Sequence, residues 1–210
     1  MAFVTDTFTE TSDTAIAAHV PDSGGTITQH PNFANGGTVI AAEDRARGNS
    51  TTASSYWYYS ATPASADYTV EGTGRITAAD STSLPGIASR MSTTATTWLS
   101  LHISAVDNTL FLLEVNNGSI SEQVTYATSF SLNTDYVLKL EVIGTGTNGA
   151  KGYLNGILRT QLTPNVVTAA GKAGVRLRQN GRIDNYSAFT EVPSFRPAWA
   201  LQQSGIIGAM

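Results

Sequence analysis

Carboxylate side chains are the first residues to consider for chemistry, because hydrolysis of a glycosidic bond requires two of them flanking one bond. In this 210-residue chain the nearest candidate pair is Glu114 and Glu122. The segment Asn116-Asn-Gly118 between them has the composition of a tight turn joining two strands. We therefore interpret both glutamates as solvated strand residues and expect no glycoside hydrolase site.

Histidine, cysteine and serine motifs for catalysis or metal binding are also missing. His19, His30 and His102 lie far apart and include no i, i+4 pair. The chain has no cysteine, which excludes disulfides and thiolate metal sites, and it has no Gly-x-Ser-x-Gly motif. These observations predict that the protein is not an enzyme.

Two groups of aromatic residues could bind a glycan, since sugar rings stack on exposed aromatic faces. One is a run of four consecutive rings, and the other is a tryptophan and a histidine on the polar face of a later strand. Strand alternation should send two of the four rings into the core, so we weigh core or subunit contact above glycan binding for that run. The six candidates are Tyr56, Trp57, Tyr58, Tyr59, Trp98 and His102.

Calcium is the one metal that the sequence leaves open. Ca²⁺ in proteins is bound by carboxylate and carbonyl oxygens, often from loops. Asp6, Asp22 and Asp184 would approach one another if the first and last strands pair, and Asp13 is a further loop candidate. No dense Asp/Asn loop is present, so we predict no cofactor and keep Ca²⁺ as the alternative.

Charge is sparse in this chain, with 13% charged residues against an average of about 25%. The net charge of −4 provides no basic footprint for nucleic acid. The first residues carry neither a basic region nor an apolar run, so we expect no signal peptide. No stretch approaches about 18 consecutive apolar residues, so we expect no membrane partner.

The hydrophobic pattern has the period of two that is typical of half-buried strands. In Tyr136–Ile143, alternation places Leu138 and Leu140 inward and Lys139 and Glu141 outward. Similar segments follow one another along the chain, separated by Gly and Asn turns, and no amphipathic helix is evident. The sequence predicts an all-β, two-sheet antiparallel sandwich in which strand 3–8 lies beside strand 183–189, because that pairing removes two free edges.

The alternating pattern ends near residue 190. We predict a sandwich domain over residues 1–191 and a C-terminal apolar tail over residues 192–210, in which Pro193 and Pro197 disfavour regular structure. The tail is richer in large apolar residues than a disordered end, so we expect it to dock on another subunit, and the alternative is that it folds back on its own sheet. Its proposed docking residues are Phe195, Trp199, Leu201, Ile206 and Ile207.

Several motifs resemble those of concanavalin A-like lectin/glucanase domains of the LamG-like type. They include Asp6-Thr-Phe8 in the first strand, His19-x-Pro-Asp-x-Gly-Gly25 after it, and the Tyr-Leu-Asn-Gly156 turn. The resemblance implies a jelly-roll sandwich. Two departures stand out: Ile27 occupies a place usually held by an aromatic residue, and the Glu-x-Asp-x-x-Glu run of glucanases of this fold is missing.

Variants of this pattern that end in a short tail like Pro197-Ala-Trp-Ala-Leu201 resemble structural proteins of tailed phages. That resemblance implies a non-enzymatic virion structural protein, either a capsid decoration or a tail or fibre component. It would be made in the host cytoplasm and contact other virion proteins, copies of itself and surface glycans. The alternative is a carbohydrate-binding adhesion module, and a glycoside hydrolase is disfavoured because paired carboxylates are missing.

Overall fold

A computed structural model describes residues 1–33 and 35–190. Within them the protein is all β apart from one turn of 3-10 helix at Ile16–Ala18. No helix in this part of the chain has the length and apolar character needed to cross a bilayer. The predicted tail, with Phe195, Trp199, Leu201, Ile206 and Ile207, lies outside the described residues, so its docking role stays a prediction.

Sixteen strands follow one another along the described chain. They are Ala2–Asp6 (β1), Thr14–Ala15 (β2), Ile27–Gln29 (β3), Gly37–Ile40 (β4), Arg45–Gly48 (β5), Ser55–Tyr59 (β6), Tyr68–Ile76 (β7), Gly86–Met91 (β8), Trp98–Ser104 (β9), Thr109–Asn116 (β10), Ser119–Ala127 (β11), Asp135–Val142 (β12), Ala150–Leu154 (β13), Ile157–Leu162 (β14), Lys172–Leu177 (β15) and Gly181–Phe189 (β16).

The strands form two antiparallel sheets. The nine-stranded sheet has the order β14-β13-β12-β7-β16-β5-β4-β2, with β1 also paired to β16. The seven-stranded sheet has the order β11-β10-β9-β8-β15-β6-β3. Neighbours in these orders are mostly distant in sequence, so the core joins residues from the whole domain. The predicted jelly-roll sandwich is confirmed.

The last strand, β16, organises the nine-stranded sheet. One edge of β16 pairs with β7, and the other edge pairs with β5 near Ile183 and with β1 between Tyr186 and Phe189. The predicted pairing of the first and last strands is therefore confirmed. A bulge at Asn185, where φ is 48°, separates the two parts of this edge.

Strand β12 shows how alternation builds the core. Leu138 and Leu140 are fully buried between the sheets, as predicted, while Lys139 lies outward near Glu141 and over the ring of Tyr153. Leu140 is opposite Val70 of β7, so apolar residues meet across strands as well as between sheets.

The segment 9–38 contains more structure than its loop-like composition predicts. It includes β2, β3 and the 3-10 turn, and β2 pairs with β4 while β3 pairs with β6. Ile27, at the position where related domains have an aromatic residue, is 3% exposed and belongs to the core.

We predict that Leu138→Ala and Leu140→Ala each lower the free energy of unfolding by roughly 2–5 kcal/mol, because each removes buried methyl groups and leaves a cavity. Lys139→Ala, on the outward face of the same strand, should cost less than about 0.5 kcal/mol. Urea denaturation of the three variants measures these differences. Equal midpoints would contradict the face assignment.

Candidate functional site

The outer face of the seven-stranded sheet brings together residues that are far apart in sequence. One row of directly opposed residues crosses five strands and consists of Tyr56, Arg176, Gly86, His102 and Phe111. At about 4.8 Å per strand, this row is about 19 Å long.

A second row lies next to the first and consists of Tyr58, Gly174, Ala88, Ser100 and Leu113. Small residues therefore occupy the middle of the rows, with Gly86 in the first and Gly174, Ala88 and Ser100 in the second. We call the two rows together with Trp98 the aromatic face.

Aromatic rings pack against one another at one end of this face. The ring centroids of Tyr56 and Trp98 are 4.4 Å apart, and Phe33 lies 4.8 Å from Tyr56 and 5.4 Å from Trp98. Met91 joins the same cluster, which is separate from the core between the sheets. A Cβ at Gly174 would lie 3.0 Å from Met91 Cε, so this glycine leaves room for the methionine of the cluster.

Four buried polar atoms on this face have no hydrogen-bond partner among the described residues. They are Trp98 Nε1, Ser100 Oγ, His102 Nδ1 and Arg176 Nη1. Trp98, Ser100 and His102 are each at least nine-tenths buried, and they alternate along β9. They are four of twelve such atoms among the described residues, and a buried polar group without a partner costs about 1–3 kcal/mol.

His102 is held as a neutral imidazole. Its ring stacks on Phe111 with centroids 4.9 Å apart and planes 8° apart. Burial, and to a smaller extent the positive charge of Arg176, lower the pKa of His102 well below its ordinary value. Its uncharged ring can therefore donate and accept hydrogen bonds near neutral pH.

The six predicted glycan-binding residues divide between the two faces of the sheet. Trp57 and Tyr59 point into the core between the sheets, where they are 1% and 0% exposed, so their inclusion as glycan ligands is wrong. Strand alternation places Tyr56 and Tyr58 on the aromatic face, and Tyr58 is half-buried. Trp98 and His102 lie on the same face of the same sheet.

A cavity of about 410 Å³ adjoins the aromatic face at Met91. Its walls come from residues 62–63, 90–93, 97 and 166–172. The polar residues of its lining are Thr62, Arg90, Ser92, Thr93, Thr97, Thr168 and Lys172. Such a mixed lining suits a hydroxylated ligand of the size of a few sugar rings.

Arg90 links the loops around this cavity through hydrogen bonds. Its guanidinium donates hydrogen bonds to the carbonyl oxygens of Ala66 at 2.9 Å, Val167 at 3.0 Å and Gly144 at 3.0 Å, and it pairs with Asp67 at 3.2 Å. Burial lowers the pKa of Arg90. Its guanidinium therefore joins three loops.

Glu114 fixes another part of the cavity wall. Its Oε1 accepts hydrogen bonds from the backbone N–H groups of Asn165, Val166 and Val167 at 2.8–3.0 Å. Glu122 lies directly opposite on the hairpin and accepts a bond from the Asn165 side chain at 3.1 Å. The prediction of two solvated glutamates is thus wrong for Glu114, which is fully buried.

The three predicted calcium ligands are not brought together. Asp6 accepts bonds from Phe8 N, His19 Nε2 and the Tyr59 hydroxyl. Asp22 accepts a bond from Thr7 N, and Asp184 binds Asn185 and lies 3.7 Å from Arg45. The described residues contain no group of three or more acidic or histidine side chains that could hold a metal ion. The proposed triad of Asp6, Asp22 and Asp184 is therefore a wrong prediction.

Asp6 instead belongs to a buried ion-pair cluster with a histidine. His19 Nε2 lies 2.8 Å from Asp6 and its Nδ1 lies 2.7 Å from Glu10, so both ring nitrogens face carboxylates. Burial opposes protonation of His19, but the hydrogen bonds and charges of Asp6 and Glu10 outweigh it and raise the pKa. The charged ring ties the segment around the 3-10 turn to β1.

We predict that Glu114→Ala lowers the free energy of unfolding by roughly 2–4 kcal/mol, because it leaves backbone N–H groups of residues 165–167 without an acceptor. Glu122→Ala, the matched control on the exposed side of the hairpin, should change it by less than about 0.5 kcal/mol. Urea denaturation compares the two. Equal losses would contradict the role assigned to Glu114.

Stability should also depend on pH through His19. A histidine with a raised folded pKa stabilises the protein fully below its unfolded value of 6.5, and this contribution is lost as the pH rises through the folded pKa. Thermal melts from about pH 5 upward should therefore show a decline that His19→Gln removes. In the control His30→Gln the decline should persist, and a decline that persists in His19→Gln would refute the assignment.

Comparison with known proteins identifies the fold of this chain. No family model and no curated protein matches it. A solved structure of the carbohydrate-binding module CBM66 from Bacillus subtilis is 21% identical, with a TM-score of 0.60 over 69% of this chain and 86% of that one. The Bacillus licheniformis β-glucanase is 12% identical, with a TM-score of 0.57 over 87% of this chain and 100% of that one.

The binding domain of botulinum neurotoxin serotype D is 13% identical, with a TM-score of 0.58 over 92% of this chain and 48% of that one. These likenesses span proteins with different activities and agree on the architecture. The chain has the concanavalin A-like jelly-roll fold.

Proposed function

We propose that this protein is a non-enzymatic carbohydrate-binding module, with the aromatic face and the adjoining cavity as its binding site. The observation that carries the proposal is a sheet face on which the rings of Tyr56, Tyr58 and Trp98 lie together with the polar side chains of Ser100, His102 and Arg176. Sugars present hydroxyl groups around an apolar ring face, so they match a face that combines polar side chains with rings.

The absence of catalytic carboxylates from this face supports a binding role. The outward rows contain no Asp or Glu, whereas glycoside hydrolysis requires two carboxyl groups beside the scissile bond. Glu114 and Glu122 are engaged with the loop at Asn165 and lie away from the aromatic face. The known structures with this fold include a carbohydrate-binding module, which supports the same interpretation.

A virion role is compatible with sugar binding, because a particle protein can also recognise surface glycans. That role was inferred from the resemblance to phage structural proteins and from the apolar tail. The structure describes none of the tail residues, so we retain virion location, assembly with other virion proteins and self-association as predictions. Mass spectrometry of purified particles tests them.

We expect a glycan array to detect binding to the folded protein, and Tyr58→Ala to weaken the strongest interaction at least about fivefold, equivalent to about 1 kcal/mol. Tyr58 is suited to this test because its half-buried ring lies on the aromatic face. Tyr153→Ala is the control, since Tyr153 is also half-buried but lies on the outer face of the other sheet. Isothermal titration calorimetry measures both affinities.

The outcomes separate the parts of this proposal. Absence of binding to every glycan would overturn the function, and equal effects of the two variants would overturn the location of the site. Incubation of the bound polysaccharide with the protein should release no reducing sugar. Reproducible release would overturn the non-enzymatic assignment.

A further inference from the structure

Strand β15 of the aromatic face and the residue that follows it carry three positively charged side chains. Lys172 and Arg176 lie outward on β15, and Arg178 follows directly after the strand. None of the three takes part in an ion pair among the described residues. Most other described cations do pair with carboxylates, namely Arg45, Arg75, Arg90, Lys139, Lys151 and Arg182.

The two outward rows of the aromatic face contain no acidic residue. Beyond the rings, the rows continue to Thr28 on β3 and to Gln123 and Thr125 on β11. This is notable in a chain that has 16 acidic residues and a net charge of −4. The aromatic face is therefore locally basic on an acidic protein.

Arg176 is the member of this group best placed to meet a ligand. It is half-buried between Tyr56 and Gly86 in the first row, and its Cζ lies 5.9 Å from the Tyr56 ring centroid. Its Nε donates to Ser54 Oγ at 3.2 Å, while its buried Nη1 has no partner. Burial lowers the pKa of Arg178, and the positive charge of the nearby Arg176 lowers it further, while the negative charge of Asp80 opposes the shift.

Lys172 adds a second positive charge where the face meets the cavity. Its Nζ donates to the Ser60 carbonyl oxygen at 2.7 Å and to Thr62 Oγ1 at 2.6 Å, so neutral oxygens hold the ammonium at the cavity wall. Along an extended strand, positions 172 and 176 are about 13 Å apart. Two acidic groups on one oligosaccharide could therefore be engaged at once.

We propose that the aromatic face selects an acidic glycan, with a carboxylate or sulfate group of the sugar bound at Arg176 and a second one near Lys172. This inference rests on the proposed carbohydrate-binding function and defines its ligand class. A planar guanidinium matches the paired oxygens of a carboxylate or sulfate, and the rings beside it provide apolar contact for the sugar. The neutral imidazole of His102 supplies a further hydrogen-bonding atom without repelling the arginine.

The test compares matched ligands that differ only in charge. Calorimetry measures binding of oligogalacturonate against its methyl ester, and of sulfated against unsulfated galactan oligosaccharides, so that the two arms distinguish carboxylate from sulfate. We expect the acidic member of at least one pair to bind at least about tenfold more tightly, with the preference declining as salt rises from about 0.05 M to about 0.5 M.

Substitutions of Arg176 then test whether this side chain causes the preference for acidic ligands. Arg176→Gln should reduce the acidic-to-neutral ratio to near one, and Arg176→Lys should retain part of it. Arg159→Gln is the control, because Arg159 also lacks an ion pair but stacks over Tyr126 at 4.6 Å, away from the face. Circular dichroism melts verify that each variant is folded.

Different experimental outcomes would contradict the acidic-ligand inference and the proposed carbohydrate-binding function. Equal binding of acidic and neutral oligosaccharides would overturn the acidic preference and leave sugar binding in place. A folded Arg176→Gln variant with an unchanged ratio would overturn the role of Arg176. Absence of binding to both members of both pairs, together with a glycan array without signal, would overturn the function and the inference together.

Discussion

Burial of the middle strands of the seven-stranded sheet on both faces is the constraint on which the candidate site depends. Every residue of β8 and β9 is buried, although alternate residues point in opposite directions. Inward residues such as Leu99 and Leu101 join the core between the sheets, and outward residues such as Trp98 join the second aromatic cluster. The polar atoms of Ser100 and His102 are thereby placed in a poorly solvated surface, where a hydrogen bond to a ligand is worth more than in water.

Several carboxylates of this protein bind partners from distant segments of the chain. Asp6 binds His19, Glu114 binds the loop at residues 165–167, and Asp135 pairs with Arg45 and Arg75. Each of these carboxylates stabilises a connection between distant segments. On β15, by contrast, the outward side chains of Lys172 and Arg176 form no ion pair among the described residues.

The local sequence pattern predicted the position of some residues correctly, whereas the position of others depends on contacts with distant parts of the chain. Leu138 and Leu140 were assigned correctly because period-two alternation is a property of the strand itself. The burial of Glu114 could not be predicted, since it depends on a loop about 50 residues later folding back over the hairpin. The calcium triad failed for a related reason: pairing β1 with β16 brought backbones together, but the side chains of Asp6 and Asp184 had nearer protein partners.

The amino-acid sequence by itself determined the all-β sandwich, the pairing of its first and last strands and the separation of inward from outward rings in Tyr56–Tyr59. The alternation and the turn residues act over a few positions. The pairing of the first and last strands was expected instead from the free edges that it removes. Only the tertiary structure decided that Tyr56 and Trp98, 42 positions apart, form one cluster and that Arg176 lies in a row with His102. The physical reason is that strand order brings together residues distant in the chain, and no local pattern specifies that order.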